Sequence, residues 1–353
     1  MAVRESIQGP AGRVRRAAIA VVAVSSAALL VAGILVYLAL YTPISADGQT
    51  RVVEIPKGTS FRVIAASLEK DGVIGNARAF AYAAQFLGKV KAIKAGEYEF
   101  NRSMNTMEIL DILVSGRVRQ HPVTIPEGYN IREIAAVLKE AGLVDEGEFT
   151  ARATDADFVR SMGLEGRTFE GYLFPDTYIL TKGMSSDEII TGMAQRFKTV
   201  YFPQLDAMAK AAGMPTAKVV TLASIIEKET GKPDERALIS SVFHNRLKKR
   251  IKLQSDPTVI YAIEGFDGNL RRRDLLRKNP YNTYVNYGLP PGPIANPGRE
   301  SLRAAIAPDE GGYLYFVSKN NGTHFFSKTL REHNNAVNVY QKRRPYAKAV
   351  KEG

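Results

Sequence analysis

The sequence predicts an α+β protein: a single N-terminal transmembrane helix, then small α/β modules, then a mixed α+β domain. Three observations predict it. Ala17 to Tyr41 is a run of twenty-five residues without a charge, a fourteen-residue pattern recurs seventy positions later, and from about residue 155 the chain becomes dense in aromatic, Asn, Pro and Gly residues. The 353 residues, 45% hydrophobic and 24% charged, suit about two globular domains plus extras.

The uncharged run is long enough to span a bilayer. Arg4, Arg13, Arg15 and Arg16 precede it against the single acid Glu5, so the positive-inside rule keeps the N-terminus cytoplasmic and sends residues after about 45 outside. A cleaved signal peptide is the competing reading, since Ile44-Ser45-Ala46 offers small residues, but its apolar region would be unusually long. The absence of cysteine excludes disulfides, thiolate metal sites and cysteine nucleophiles. His121, His244, His324 and His333 lack metal-ligand spacing, so no metal or cofactor is expected and each is read as structural or surface. The net charge of +12 suits an anionic polymer or lipid surface. The exported orientation argues against nucleic acid.

The repeat aligns Ile55-Pro56-Lys57-Gly58 and the residues up to Leu68 with Ile125-Pro126-Glu127-Gly128 and the residues up to Leu138. Each copy reads as a strand, a Pro-x-Gly turn, a capping polar residue and an amphipathic helix ended by glycine, Gly72 or Gly142. Gly96 to Phe100 alternates as a strand does, and Met107 to Leu113 has a helical period. Spacers and glycan-binding modules both fit the repeats. The organisation is then a basic tail at 1–16, a transmembrane helix at 17–41, tandem modules at 42–154 with repeats near 51–75 and 121–145, a mixed α+β domain at 155–342 and a basic tail at 343–353.

In the later region Glu170-Gly171-Tyr172-Leu173-Phe174-Pro175-Asp176-Thr177-Tyr178 reads as an ordered loop entering a strand. Helices follow at about 185–199, 202–212 and 215–230, and another opens at Asp234 and runs to about Arg250. Leu253 to Thr258, and Tyr281 through Gly288 to Ile294, read as irregular segments whose amides, hydroxyls and rings suit sugar binding. Tyr313 to Phe316 pairs with Thr323 to Phe326 across Asn320-Asn321-Gly322.

The helix ending in Ile225-Ile226-Glu227-Lys228-Glu229-Thr230 carries the best catalytic candidate. Glu229 lies three positions after Ile226 and seven after Leu222, on their apolar face, whereas Glu227 points to the rim. Burial and the negative end of the helix dipole both raise the pKa of Glu229, which would make it a general acid. An ordinary helix end, with the glutamate paired to a nearby Arg or Lys, is equally consistent with this segment alone.

Taken together, the span, the tandem modules, Glu-Gly-Tyr-Leu-Phe-Pro-Asp-Thr-Tyr at 170–178, Ala-Ser-Ile-Ile-Glu-Lys-Glu-Thr at 223–230, Leu-Gln-Ser-Asp-Pro-Thr-Val at 253–259 and Gly-Leu-Pro-Pro-Gly-Pro-Ile at 288–294 resemble the MltG-type, YceG-like endolytic murein transglycosylases. The resemblance implies that the modules are LysM-like, that Glu229 is the catalytic residue, and that the motifs of Asn245, Gln254, Ser255, Asp256, Tyr281, Asn282 and Pro291 line the substrate cleft. It implies cleavage between N-acetylmuramic acid and N-acetylglucosamine inside a nascent glycan strand, giving 1,6-anhydro ends and limiting strand length. The implied partners are peptidoglycan glycan strands, the lipid bilayer through residues 17–41, and peptidoglycan synthases such as penicillin-binding proteins; the implied place is the bacterial inner membrane. A non-catalytic peptidoglycan-binding protein and a water-using muramidase, with Asp256 as base, remain the alternatives.

Overall fold

The computed structural model describes residues 10–202 and 204–342. Residues 1–9 of the expected N-terminal tail, and all of the tail at 343–353, lie outside the described residues. Contacts divide the chain into one unit of Met1–Gln120 with Thr181–Gly183 and a second of His121–Leu180 with Met184–Gly353.

The first unit opens with α1, Pro10–Tyr41. Its segment Val14–Tyr41 is the one helix among the described residues long and apolar enough to cross a membrane. Its Val, Leu and Ile side chains are exposed along its length, as a lipid-facing surface would be. There follow β1 Thr50–Ile55, α2 Phe61–Lys70, α3 Ala77–Phe86, β2 Gly96–Asn101 and α4 Thr106–Ser115. β1 and β2 pair antiparallel with Val53 opposite Tyr98. Strand alternation turns Val53, Ile55, Tyr98 and Phe100 inward, where they meet Leu68 of α2, Phe80 of α3 and Leu110 of α4. Glu97 is nearly buried in β2 and needs a partner; Lys182 Nζ supplies it at 2.6 Å, which is why residues 181–183 belong with this unit.

The second unit begins with the other copy of the repeat: β3 His121–Thr124, α5 Ile131–Glu140, α6 Glu146–Ala153, α7 Ala156–Ser161 and β4 Thr177–Leu180. β3 and β4 are antiparallel, with Val123 opposite Tyr178. Both copies therefore make a strand, a turn and an amphipathic helix, and each closes with an antiparallel strand. Capping differs between them. Asn130 and Glu133 form a reciprocal capping box on α5, whereas Ser60 makes no side-chain cap on α2. In this copy the closing strand starts only at Thr177, so the segment 170–178 is the approach to that strand.

The remainder is helical: α8 Ser186–Tyr201, α9 Gln204–Ala211, α10 Thr216–Glu229, a 3₁₀ turn at Pro233–Glu235, α11 Arg236–Lys248, α12 Asp256–Tyr261, α13 Arg272–Leu275 and α14 Arg299–Ile306. β5 Tyr315–Ser318 pairs antiparallel with β6 His324–Ser327, and α15 Leu330–Val337 runs into a π turn at Asn338–Lys342. Two expectations shift. The terminal hairpin forms one to two residues later than expected, and Asp256, expected in an irregular segment, opens a short helix with Pro257 in its first turn, where a missing N–H costs nothing.

Every residue of α10 from Val219 to Ile226 is buried. A helix with no polar face has to be central, and α9, α11, α12 and α14 pack around it. Two of the sequence motifs lie directly on it. Ser224 Oγ accepts from the Ile294 N–H at 3.0 Å, pinning the Pro/Gly loop, and Gly171 sits against Val220 and Pro293. Gly171 has φ +85°, and a Cβ there would lie 2.5 Å from Val220 Cγ1 and 2.6 Å from Pro293 Cγ. Gly171→Ala is therefore expected to destabilise the second unit by about 2–5 kcal/mol, the sum of a left-handed backbone and overpacking. Denaturant unfolding of the variant checks this, and a midpoint equal to the parent's would contradict the packing described.

Candidate active site

The end of α10 carries Glu227 and Glu229, and the structure separates them by their partners. Glu229 is half-buried, with part of its surface opening into a cleft of about 430 Å³. Ser255 Oγ donates to its Oε1 at 2.5 Å. Its pKa is raised to about 7, chiefly by burial and also by the nearby Asp256, with the Ser255 hydrogen bond and the Arg246 charge opposing the rise. Glu229 thus holds its proton close to neutrality and opens to a cavity.

Glu227 does not sit at the rim. Its side chain is only 5% exposed, Arg236 Nη2 lies 3.3 Å from Oε1, and the Gly298 N–H donates to Oε2 at 2.9 Å. The reason lies outside the helix: the turn of the second repeat packs over this end, with Glu127 also 3.5 Å from Arg236, Lys228 Nζ donating to the Gly128 carbonyl at 3.2 Å, and a Cβ on Gly128 placed 3.5 Å from Glu227. Helical periodicity sees only the helix itself. Both glutamates are enclosed, and a cation with a backbone donor occupies one while a single hydroxyl reaches the other.

The segment 253–258 is shaped to bring Ser255 to that carboxyl. Gln254 adopts φ +51°, rare for a residue with a side chain, and its side chain lines the cleft. Buried Thr283 staples the bend: its carbonyl accepts from the Gln254 N–H at 3.2 Å, its Oγ1 accepts from the Ser255 N–H at 3.0 Å, and it shares a 2.8 Å hydroxyl contact with Thr258. Asp256 is exposed in the cleft and accepts from the Tyr284 hydroxyl at 2.5 Å. Beneath them Arg246 is 8% exposed, with Nε donating to the Leu314 carbonyl at 2.7 Å and Nη1 to the Leu253 carbonyl at 2.8 Å. It supplies a fixed positive charge to the cleft wall.

Of the residues singled out from the sequence, the structure gathers Glu229, Gln254, Ser255 and Asp256 at the cleft. The other four take different places. Asn245 donates to the carbonyls of Gly311 and Tyr313 at 2.8 and 3.0 Å. Asn282, fully buried, donates to the carbonyls of Leu275 and Arg277. Tyr281 packs on Tyr261 with ring centres 5.0 Å apart, and Pro291 is exposed. Sequence reasoning passed over Arg246 and Tyr284 and read His324 and His333 as structural or surface; all four line the cleft. Tyr284 lies in the irregular segment that begins at Tyr281 and Arg246 in the helix that opens at Asp234, so both could have been noticed; the histidines arrive from the terminal hairpin and α15, and no spacing in the chain announces them.

A third buried acid lies among the same motifs. Glu170 is 3% exposed and accepts from the Ile131 N–H, from Tyr261 Oη at 3.0 Å and from Asn296 Nδ2 at 3.1 Å; burial raises its pKa to about 7 as well. It ties the start of α5 to the Pro/Gly loop.

A carboxyl with a pKa raised from 4.5 to about 7 holds a proton that the unfolded chain releases, so its contribution to stability is present below pH 4.5 and is lost as pH rises to about 7. Glu229→Gln, which mimics the protonated form at every pH, is therefore expected to match the parent in stability near pH 4.5 and to become the more stable protein, by a few kcal/mol at most, above pH 7. Denaturation midpoints measured across this range check it; a pH-independent difference would mean that Glu229 titrates normally.

The chain matches the family described as the YceG-like family over residues 53–339. It is 36% identical over 330 residues to the endolytic murein transglycosylase of Bacillus subtilis (strain 168), covering 88% of this chain and 91% of that one. It is 30% identical over 330 residues to the protein of the same name from Streptococcus pneumoniae serotype 2 (strain D39 / NCTC 7466), covering 84% of this chain but 59% of that longer relative. It is also similar to the 2.6 Å crystal structure of a yceG-like protein from Listeria monocytogenes, with TM-score 0.57 and 35% identity over 82% of this chain and 100% of that chain.

Proposed function

The chain belongs to the YceG-like family, and from that premise we propose that it is a membrane-anchored endolytic murein transglycosylase with Glu229 as its catalytic acid and base. The observation that carries the reading is Glu229 itself: a carboxyl pushed up to about 7, open to a cleft, with one hydroxyl bonded to it. Protonated Glu229 donates to the glycosidic oxygen as the bond to the muramoyl carbon breaks. Positive charge develops at that carbon. The ionised Glu229, stabilised by Ser255 and by the charge of Arg246, then takes the proton of the same sugar's 6-hydroxyl as that oxygen closes the 1,6-anhydro ring. The nucleophile belongs to the substrate, so a single carboxyl serves both steps.

Gln254 and Asp256 on the cleft wall are read as substrate contacts. Asn245, Asn282 and Tyr281 act through the loops that they hold, and Pro291 offers an exposed surface beside them. The strand, helix, helix, strand order of residues 50–101 supports a LysM-like reading of the first module. The second copy then places its turn against the catalytic helix. We read α1 as a single span of the bacterial inner membrane with the N-terminus cytoplasmic, supported by the basic residues before it, and the enzyme as acting on strands beside the synthases that extend them.

Glu229→Gln is expected to reduce cleavage of purified glycan strands by roughly 10²- to 10⁴-fold while strand binding persists. Mass spectrometry of the parent's products is expected to show anhydro-muramoyl ends, one water lighter than reducing ends; reducing ends would instead assign a hydrolase with Asp256 as base. Glu227→Gln is expected to behave differently, losing on the order of 3 kcal/mol of stability by leaving Arg236 underpaired, with turnover per folded molecule close to the parent's. Equal loss of turnover in the two variants, measured on folded protein, would overturn the division of roles.

A further inference from the structure

Helix α3 presents an aromatic face beside the point where the chain leaves α1. Phe80 and Ala84 are wholly buried in the unit's core, whereas Tyr82 and Phe86, one turn apart, are 74% and 92% exposed, and Leu87 follows at 45%. Phe86 and Tyr82 sit on adjacent turns of one helix, and clustered exposed apolar side chains of this kind mark contact sites. The cover is indicated by what lies next to them. α3 packs against α1. A Cβ on Gly75, just before α3, would lie 3.9 Å from Ile44 Cγ1, and the Thr106 hydroxyl fixes α4 to the Ala39 carbonyl at 3.1 Å. At ten residues α3 is roughly 15 Å long, so its exposed rings lie within about that distance of the start of α3, which follows Gly75 and its contact with Ile44. Tyr37 and Tyr41 stack at that exit with ring centres 4.9 Å apart, as interfacial aromatics do. Exposed Arg78, one turn before Tyr82, and exposed Lys91 add positive charge to the same surface.

We propose that this face of α3 is a second membrane contact, seated in the headgroup region of the bilayer that α1 crosses. Tyr82, Phe86 and Leu87 enter the interface, where amphipathic and aromatic side chains are favoured, and Arg78 and Lys91 pair with anionic lipid phosphates. The inference rests on reading α1 as a membrane span and goes beyond it: the unit that follows the span lies against the bilayer and does not swing freely about residues 42–49.

The chain contains no tryptophan, so single substitutions report cleanly. Phe86→Trp, with Leu30→Trp as a reference in the span and Tyr287→Trp as an exposed reference in the second unit, is to be made in the full chain and reconstituted in phosphatidylcholine–phosphatidylglycerol vesicles. The expected result is that Phe86→Trp is quenched by lipids brominated near the headgroup and is several-fold less accessible to acrylamide than Tyr287→Trp. If Phe86→Trp matches Tyr287→Trp while Leu30→Trp is quenched by lipid, the proposal is overturned and the span stands. If Leu30→Trp is unquenched as well, the span reading falls together with it. Protection of Phe86→Trp by soluble murein fragments in detergent, with no lipid effect, would assign the face to glycan and overturn the lipid contact.

Discussion

The second unit depends on the burial of the middle of α10. Eight consecutive buried residues, Val219 to Ile226, leave that stretch of the helix no face toward the surface, so other elements must close around it. What closes around it are the sequence motifs. The 170–178 segment packs at Gly171, the Pro/Gly loop is held by Ser224, and the turn of the second repeat covers Glu227 and Lys228. The helix stops at Glu229 because Thr230 turns extended, and its last side chain emerges where these pieces leave a cleft. A buried apolar rod therefore ends in a carboxyl whose surroundings are dry on one side and open on the other.

Three glutamates of this unit are enclosed, and their partners decide what each can do. Glu227 faces a guanidinium and a backbone N–H, so its charge is compensated and it serves to join α10, α11 and the repeat turn. Glu170 gathers a backbone N–H, a phenol and an amide, and ties three segments of the fold together. Glu229 has one hydroxyl and a view of solvent. The same residue type is enclosed by several donors twice and left with one hydroxyl and an open cleft once, and the difference is the number and charge of the donors facing it.

Much of this was legible in the chain. The long apolar first helix, both repeat units, the helices from 186 to 248 and the place of Glu229 beside an apolar helix face follow from periodicity, capping residues and apolar spacing, which act over a few residues and so leave a local trace. Other features were not local. The burial of Glu227 required knowing that Pro126-Glu127-Gly128, a hundred residues earlier, folds over it. The employment of Asn245 and Asn282 on backbone carbonyls, and the arrival of His324 and His333 at the cleft, depend on segments that meet only after folding.

By itself, then, the sequence determined the order and type of the elements, the apolar face on which Glu229 lies and the family to which the chain belongs, because hydrophobic period and motif order are properties of consecutive residues. Tertiary structure alone decided which of two neighbouring glutamates stays uncompensated, since a pKa is set by what surrounds a carboxyl and not by its position on a helix. It also decided that Ser255 would be the hydroxyl to reach Glu229, through a bend at Gln254 stapled by Thr283, because a hydrogen bond of 2.5 Å requires both chains to be in place.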